Sequence, residues 1–319
     1  MPDAGAWGDS FSAMALLTTS VVRGLLDEHG VRPSRALGQN FLADPNTARR
    51  IARLAAVGPG DRVLEIGPGV GSLTLALLET GARVVALEVD RHLVPVLQAV
   101  LSDAVATGSV RIVPGDAMTA DLDAVLDDTP EGAGAELAGH DVARASVGRD
   151  GTAQIWHCVS NLPYNVATPV VVRLLETCPR MMHLLLMVQR EVGERLAAGP
   201  GTSAYGAVSV KVAYYTTARV VGTVPATVFV PTPNVESALV RLERRPSPPV
   251  DVPSEEQLFA IVRAGFAQRR KMLRSALRPM FGPRTESVLT AAGVRPDARA
   301  ETLGLDEWAA LARSAADAA

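Results

Sequence analysis

The chain has 319 residues, 48% of them apolar and 20% charged, which supplies a sizeable core and excludes wholesale disorder. A formal net charge of −3 excludes a uniformly basic nucleic-acid binder, so any such role must come from a local patch. Two cysteines, Cys158 and Cys178, are too few for a disulfide framework or a cysteine zinc site and read as small buried residues of a reducing, cytoplasmic compartment. No apolar run reaches the roughly eighteen residues of a membrane span, and no basic segment precedes an apolar block at the N-terminus.

Residues 1–17 are rich in Gly, Ala and Ser and read as a loose tail, with Met14 as an alternative start. Thr19 or Ser20 caps a helix that stops at Gly30. Arg32 to Leu42 reads as an irregular loop, and Asp44-Pro45-Asn46 opens a second helix through about Ala56. Strand and helix then alternate. Strands are predicted at 62–66, 83–88 and 110–113, with helices at 72–79 and 91–101 between them. This rhythm implies an α/β fold with a mostly parallel sheet, helices on both faces and right-handed crossovers. Residues 121–150 break the rhythm: the stretch is rich in Asp, Gly and Ala and is expected to be an acidic surface excursion. The sheet resumes at 155–159, passes a helix at 168–176, and reaches an almost wholly apolar, hence central, strand at 181–188. A pair of strands is predicted at 208–215 and 219–224, and a last one at 238–242. Arg244 to Pro249 is a linker. Helices follow at 255–268 and 274–280, then shorter ones to the end. The expected domains are therefore 18–245, carrying the sheet, and a small helical domain at 246–319.

Gly67-Pro68-Gly69-Val70-Gly71 lies directly between a strand and a helix, where glycines let the backbone approach a ligand and take positive φ. Glu88 ends the next strand, where a carboxylate can accept both hydroxyls of a ribose. The glycine spacing is not that of a dinucleotide-binding turn, and Pro68 removes a donor from any pyrophosphate cradle. A cationic ligand suits Glu65 and Glu88 better than a polyanion. S-adenosylmethionine carries a sulfonium, a ribose and an adenine, and Asp116, ending the third strand, could accept from the adenine amine. The alternative for Glu65 and Asp116 is that they cap neighbouring helices.

Ser160-Asn161-Leu162-Pro163-Tyr164-Asn165 follows the fourth strand, at the sheet edge where open α/β folds bind ligands. It resembles the Asn-x-Pro-aromatic signature of methyltransferases that act on exocyclic amino groups. An adenine N6 lone pair is delocalised into the ring, so the amine is a poor nucleophile. Acceptors on its two hydrogens, from the Asn161 side chain and the Leu162 carbonyl, would draw it toward tetrahedral geometry. Pro163 would stiffen the loop and Tyr164 would stack on the extruded base. Positioning would supply most of the catalysis.

The whole chain resembles the small-subunit ribosomal RNA adenine dimethyltransferases, the family of the kasugamycin-sensitivity methylase. The resemblance runs in family order through Leu37 to Leu42, Val63 to Gly71, Leu87 to Asp90, and Gly115 to Met118. It continues through Asn161 to Asn165, Gln189 to Val192, Tyr205-Gly206, Val228 to Ser237, and Arg269 to Lys271. It implies a Rossmann-like class I S-adenosylmethionine-dependent methyltransferase sheet with a small C-terminal helical domain. It implies dimethylation of N6 on two adjacent adenosines in a hairpin near the 3′ end of 16S rRNA, by a cytoplasmic monomer acting on the small subunit or its precursor without a metal. By motif position, Asn40 and Leu42 would meet the methionine end of the cofactor. Gly67 and Gly69 would lie beneath it, Glu88 would hold the ribose and Asp116 the adenine. Asn161 would sit between cofactor and target amine. Phe229 would form a second wall against the base, or else serve as a core aromatic. Two departures stand out: the acidic insert is long for the family, and Ala207 follows Tyr205-Gly206 where a basic residue is frequent.

From Arg241 to Arg284 ten basic residues face four acids. Arg269, Arg270, Lys271, Arg274 and Arg278 are the expected RNA contacts, the last two sharing a helical face with Arg270. Arg32 and Arg35 add a second patch, and folded RNA would be read mainly by shape and backbone. Two rival readings remain. One is a large-subunit (23S) rRNA methylase of the macrolide-resistance type; the other is a ribosome-assembly factor for which methylation is secondary. The five histidines are scattered at non-ligand spacing.

Overall fold

A computed structural model describes residues 16–34, 36–127 and 155–317. Among the described residues nine strands form: β1 (Phe41–Leu42), β2 (Arg62–Ile66), β3 (Arg83–Glu88), β4 (Val110–Pro114), β5 (Trp156–Asn161), β6 (Met181–Gln189), β7 (Thr216–Val224), β8 (Phe229–Val230) and β9 (Ser237–Arg244). Seven make one sheet in the order β4-β3-β2-β5-β6-β9-β7, and β1 pairs antiparallel with β8. β2 is parallel to both β3 and β5, β3 to β4, and β5 to β6. β2 and β6 are buried along most of their length because they are apolar runs covered on both faces. From β2 the chain winds outward through β3 to β4, then returns to build β5 on β2's other side. That reversal opens a crevice beyond the carboxyl ends of β2 and β5, where ligands of open α/β sheets bind.

The β2–β5 pairing is short, with registers at Val63↔His157 and Leu64↔Cys158 only. Beyond it a side chain takes over: the Ile66 N–H donates to Ser160 Oγ at 2.8 Å, and the pair is buried. Both strands are thereby held together up to the point where the glycine turn and the Asn161 motif diverge. Cys158 and Cys178 are buried and not joined in a disulfide. No helix among the described residues is long and apolar enough to cross a membrane.

The chain divides into two compact units, one of Met1–Gln189 with Gly222–Leu239, the other of Arg190–Val221 with Val240–Ala319. This partition differs from a boundary near residue 245. In the second unit Tyr205, Val210 and Tyr214 share a core with Leu258, Ile261, Leu289, Trp308 and Leu311 from the C-terminal helices. The apolar face of the helix at 207–215 is completed by those helices, so residues 190–221 group with them.

Three local expectations change. Residues 207–215 form a helix, not a strand. The alternating Val and Tyr residues suggest a strand, but Ser209 starts a helix. Its Oγ accepts from the Gly206 N–H at 3.1 Å and donates to the Arg195 carbonyl at 2.6 Å. The helix expected over 274–280 is two short ones, Leu273–Ala276 and Arg278–Phe281. Pro279 lacks the N–H and its ring excludes continuation from the preceding turn. Arg270, Arg274 and Arg278 therefore do not share one helix. The acidic stretch begins in order: Asp121 caps a helix at Leu122–Leu126, and Arg180 grips its end through Asp127 at 2.8 Å. The rest of that stretch, like the N-terminal tail through residue 15 and Arg35, lies outside the described residues.

Replacing Ser160 by Ala strands the buried Ile66 N–H. The expected loss is about 1–3 kcal/mol of stability, read as a lower urea midpoint at unchanged slope; an unmoved midpoint would remove Ser160 as the clasp between β2 and β5.

Candidate functional site

The turn after β2 holds Gly67, Gly69 and Gly71 at φ 69°, 62° and 90°. Gly69 is required twice over, by its positive φ and because a Cβ there would lie 2.8 Å from Phe41 Cδ1. The backbone of the turn is thus pressed between the Phe41 ring and the end of β3.

Glu88, at that end, is only 3% exposed. Its Oε2 accepts from the Gly69 N–H at 3.0 Å and its Oε1 from the Asp90 N–H at 2.9 Å. Burial pushes its carboxyl up to about 7, against the pull of those two N–H groups. Glu65 is also buried and accepts from Thr74 Oγ1 at 2.6 Å. Burial raises it to about 8, with the Thr74 hydroxyl opposing and the Glu88 charge adding to the rise. Glu65 thus ties β2 to the helix Ser72–Leu78 through the Thr74 side chain, without capping that helix, and also lines the cavity beside the glycine turn. Asp116 is exposed after β4, and its Oδ1 accepts from the Met118 N–H at 2.8 Å.

The segment expected to be an irregular loop is fastened at both ends. Gln39 Nε2 donates to Asp90 Oδ2 and the Ser34 N–H donates to Gln39 Oε1, each at 2.8 Å. On the other side Asn165 Nδ2 donates to the Ala36 carbonyl at 2.7 Å. Gly38, at φ 64°, lies so close that a Cβ would fall 2.9 Å from Asn165 Oδ1. Asn161 Nδ2 donates to the Asn40 carbonyl at 3.1 Å. The Leu162 N–H continues the sheet by donating to the Met187 carbonyl at 3.0 Å. The Tyr164 hydroxyl meets Ser237 Oγ at 2.8 Å.

These walls border a cavity that is open to solvent. It is lined by Asn40, Leu42, Gly67, Gly69, Glu88, Asp116 and Asn161, and also by Leu162, Pro163 and Tyr164. Phe229 is not among the lining residues. It is 2% exposed and sits opposite Leu42 in the β1–β8 pair, so it backs the wall. Gln39, Asp90, Asn165 and Ser237 are the site residues that sequence reasoning did not single out. All four lie within or beside the motif segments, but the motif does not say which side chains bond to one another.

The cavity suits S-adenosylmethionine on its own chemistry. Each Glu88 oxygen accepts one N–H and retains a lone pair for a ribose hydroxyl. The glycine turn offers bare backbone, and Glu88 in its ionised form favours a cationic sulfonium.

Within the second unit, Arg269 is committed to the protein itself, bonding Glu301 Oε2 at 3.0 Å and the Ser203 carbonyl at 2.6 Å. Arg270, Lys271, Arg274 and Arg278 are exposed. Arg32, in the first unit, is exposed as well.

Residues 31–317 match the family model for ribosomal RNA adenine dimethylase. The chain is 45% identical over 301 residues to the ribosomal RNA small subunit methyltransferase A of Thermobifida fusca (strain YX), covering 93% of this chain and 95% of that protein. Its fold is similar to that of a dimethyladenosine transferase from Plasmodium falciparum, with a TM-score of 0.64 and 21% identity over 85% of this chain and 95% of that one. It is also similar in fold to the 23S rRNA methyltransferase ErmE, with a TM-score of 0.59 and 24% identity over 86% and 99% of the two chains.

The raised carboxyls carry a sign. Native Glu65 holds its proton to about 8, whereas the unfolded chain releases it near 4.3. Its contribution to stability is therefore complete below the unfolded value and is lost as pH rises through the folded one. Glu65→Gln should flatten the fall in stability between about pH 5 and about pH 8. Urea midpoints across that range test this, and a slope equal to that of the unsubstituted protein would contradict it.

Proposed function

The chain belongs to the ribosomal RNA adenine dimethylase family, and from that membership we propose that it dimethylates N6 of two adjacent adenosines in a hairpin near the 3′ end of 16S rRNA. Its methyl donor is S-adenosylmethionine. The observation that carries the reading is the Asn161 amide, held by the Asn40 carbonyl in the wall of the cavity that also contains Glu88 and the glycine turn.

In this reading Glu88 accepts the ribose hydroxyls and Asp116 the adenine amine. Gly67 and Gly69 lie beneath the cofactor, and Asn40 and Leu42 close over its methionine end. Bound there, the cofactor supplies an electrophilic methyl on a sulfonium. Every other contribution comes from the chain. With Nδ2 engaged by Asn40, Asn161 presents Oδ1, its acceptor end, to the target. The Leu162 N–H is bonded to β6, which anchors that residue at the sheet edge where its carbonyl is the second acceptor. In the first transfer two acceptors on the two N6 hydrogens draw the amine out of conjugation and free its lone pair for in-line attack; in the second a single hydrogen remains for one acceptor, and in each the N–H proton, made acidic by the new N–C bond, is released to water as the S–C bond breaks to a neutral thioether. Pro163 restricts the loop, and the Tyr164 ring stacks on the extruded adenine. The Tyr164 hydroxyl takes no part as a base, because burial holds it above the usual phenol range. Phe229 acts through Leu42, its strand partner.

Arg270, Lys271, Arg274 and Arg278 form the phosphate-binding face of the second unit, Arg32 adds to that of the first, and Arg269 serves mainly to hold that part of the chain together. The protein works as a cytoplasmic monomer, without a metal, on the small subunit or its precursor.

The direct test is transfer of radiolabelled methyl from S-adenosylmethionine to unmethylated small subunits and, in parallel, to unmethylated 23S rRNA, with product nucleosides identified by mass. Dimethyladenosine at two adjacent small-subunit positions is the expected product; label in 23S rRNA alone would overturn the assignment in favour of the resistance-type methylase. In the same assay Asn161→Ala should lower kcat by about a hundredfold or more while cofactor affinity stays within about twofold, and an unchanged kcat would exclude Asn161 from the reaction. Reversing charge at Arg270 and Arg274 should weaken RNA binding. It should also reduce the slope of log K against log salt by about 0.7–0.9 for each phosphate no longer neutralised. A slope that stays put would move the RNA face elsewhere.

A further inference from the structure

The proposed reaction uses Tyr164 only through its ring, yet its hydroxyl has a fixed partner. The phenol oxygen lies 2.8 Å from Oγ of Ser237. Ser237 is the first residue of β9 and is fully buried, at 0% exposure. A hydroxyl with no access to water has to find its partner inside the protein. The backbone end of Tyr164 is independently fixed. Two residues before it, the Leu162 N–H is bonded to the Met187 carbonyl at 3.0 Å. One residue after it, Asn165 is bonded to the Ala36 carbonyl at 2.7 Å. With its near end held by the loop and its far end held by Ser237, the long axis of the side chain has one direction in the cavity wall, and the preference of a phenol O–H for the ring plane biases the ring's rotation about that axis.

We propose that Ser237 is a positioning residue for methyl transfer, setting the direction of the Tyr164 ring on which the target adenine stacks. The inference rests on the adenine-N6 reaction proposed above and adds the residue that aligns it. An adenine resting on a tilted ring would carry its N6 away from Asn161 Oδ1, and small misplacements of a reacting atom are costly to rate. The segment from Phe229 to Ser237 then supports both sides of the cavity: Phe229 pairs with Leu42 at one end, and Ser237 holds Tyr164 at the other.

The test is a double-mutant cycle of Ser237→Ala and Tyr164→Phe, each of which removes one end of the bond and keeps the ring. Each should lower kcat/KM on small-subunit RNA by roughly fivefold, the factor that corresponds to a single neutral hydrogen bond. The combined variant should lose no more than either alone. Cofactor affinity should stay close to that of the unsubstituted protein, while Tyr164→Phe, which leaves the buried Ser237 hydroxyl without this partner, should lower the thermal midpoint. A hairpin RNA with 2-aminopurine at a target position reads the stacking directly, and its quenching on binding should diminish in both variants. Losses that multiply to about twenty-fivefold, or a Ser237→Ala protein with full kcat/KM and full quenching, would overturn the assignment. Should the unsubstituted protein fail to methylate small-subunit RNA, the family reaction falls for this chain. The quenching experiment still decides whether Ser237 orients Tyr164.

Discussion

The site depends on one buried carboxylate. Glu88 receives the N–H of Gly69 from the turn after β2 and the N–H of Asp90 from the turn after its own strand. It is thereby the point at which two adjacent strands are given a common end. A carboxyl buried to 3% exposure is costly to keep, and its raised pKa expresses that cost. The cost is tolerated because the same two oxygens keep lone pairs directed away from the backbone. A group that only joined the turns could be an amide or a hydroxyl. A buried carboxyl offers acceptors alone once ionised, and a ribose presents two donors.

From Glu88 the ties run outward in order. Asp90 holds Gln39, whose carbonyl oxygen in turn fixes the Ser34 N–H. The same short loop gives its Asn40 carbonyl to Asn161 and its Ala36 carbonyl to Asn165. The loop therefore bridges the end of β3 and the end of β5, the two places where the proposed cofactor and the proposed target amine meet the chain. A change at either end is transmitted through main-chain carbonyls, which have little freedom to re-aim. This makes the loop part of the proposed site's geometry even though only Asn40 and Leu42 have proposed ligand contacts.

Much of this was legible in the sequence. β2, β3, β5 and β6 followed from apolar runs bounded by turn residues. The positions of the glycine turn, Glu88 and Asn161 followed from where those strands end. What escaped was of three physical kinds. The helix at 207–215 carries a strand-like Val and Tyr alternation, and only the Ser209 bonds to Gly206 and Arg195 turn it the other way. The split at Leu277 follows from Pro279, a local breaker outweighed by the basic periodicity around it. Phe229 lies in a family motif, but its side of the wall is set by pairing with Leu42 across a long stretch of chain. Propensity and motif position do not encode which of two facing residues touches the ligand.

The choice of an amide at position 161 has a physical reason in the same network. Glu65 and Glu88 already place two carboxyls in the floor of the cavity, and the Glu88 charge adds to the burden of ionising Glu65. An aspartate at 161 would be a third acid in that space. Its pKa would rise with its neighbours', and near neutrality a growing fraction would carry a proton on the oxygen facing the target. A protonated carboxyl donates, so it would oppose the N–H of the amine it is meant to receive. It would also lack the N–H₂ that fastens the side chain to the Asn40 carbonyl. Asparagine keeps one end as a donor to the loop and the other as an acceptor at every working pH. Since adenine N6 is scarcely basic, nothing in the proposed attack calls for a stronger base. What the reaction does need is an acceptor that stays an acceptor beside two buried acids.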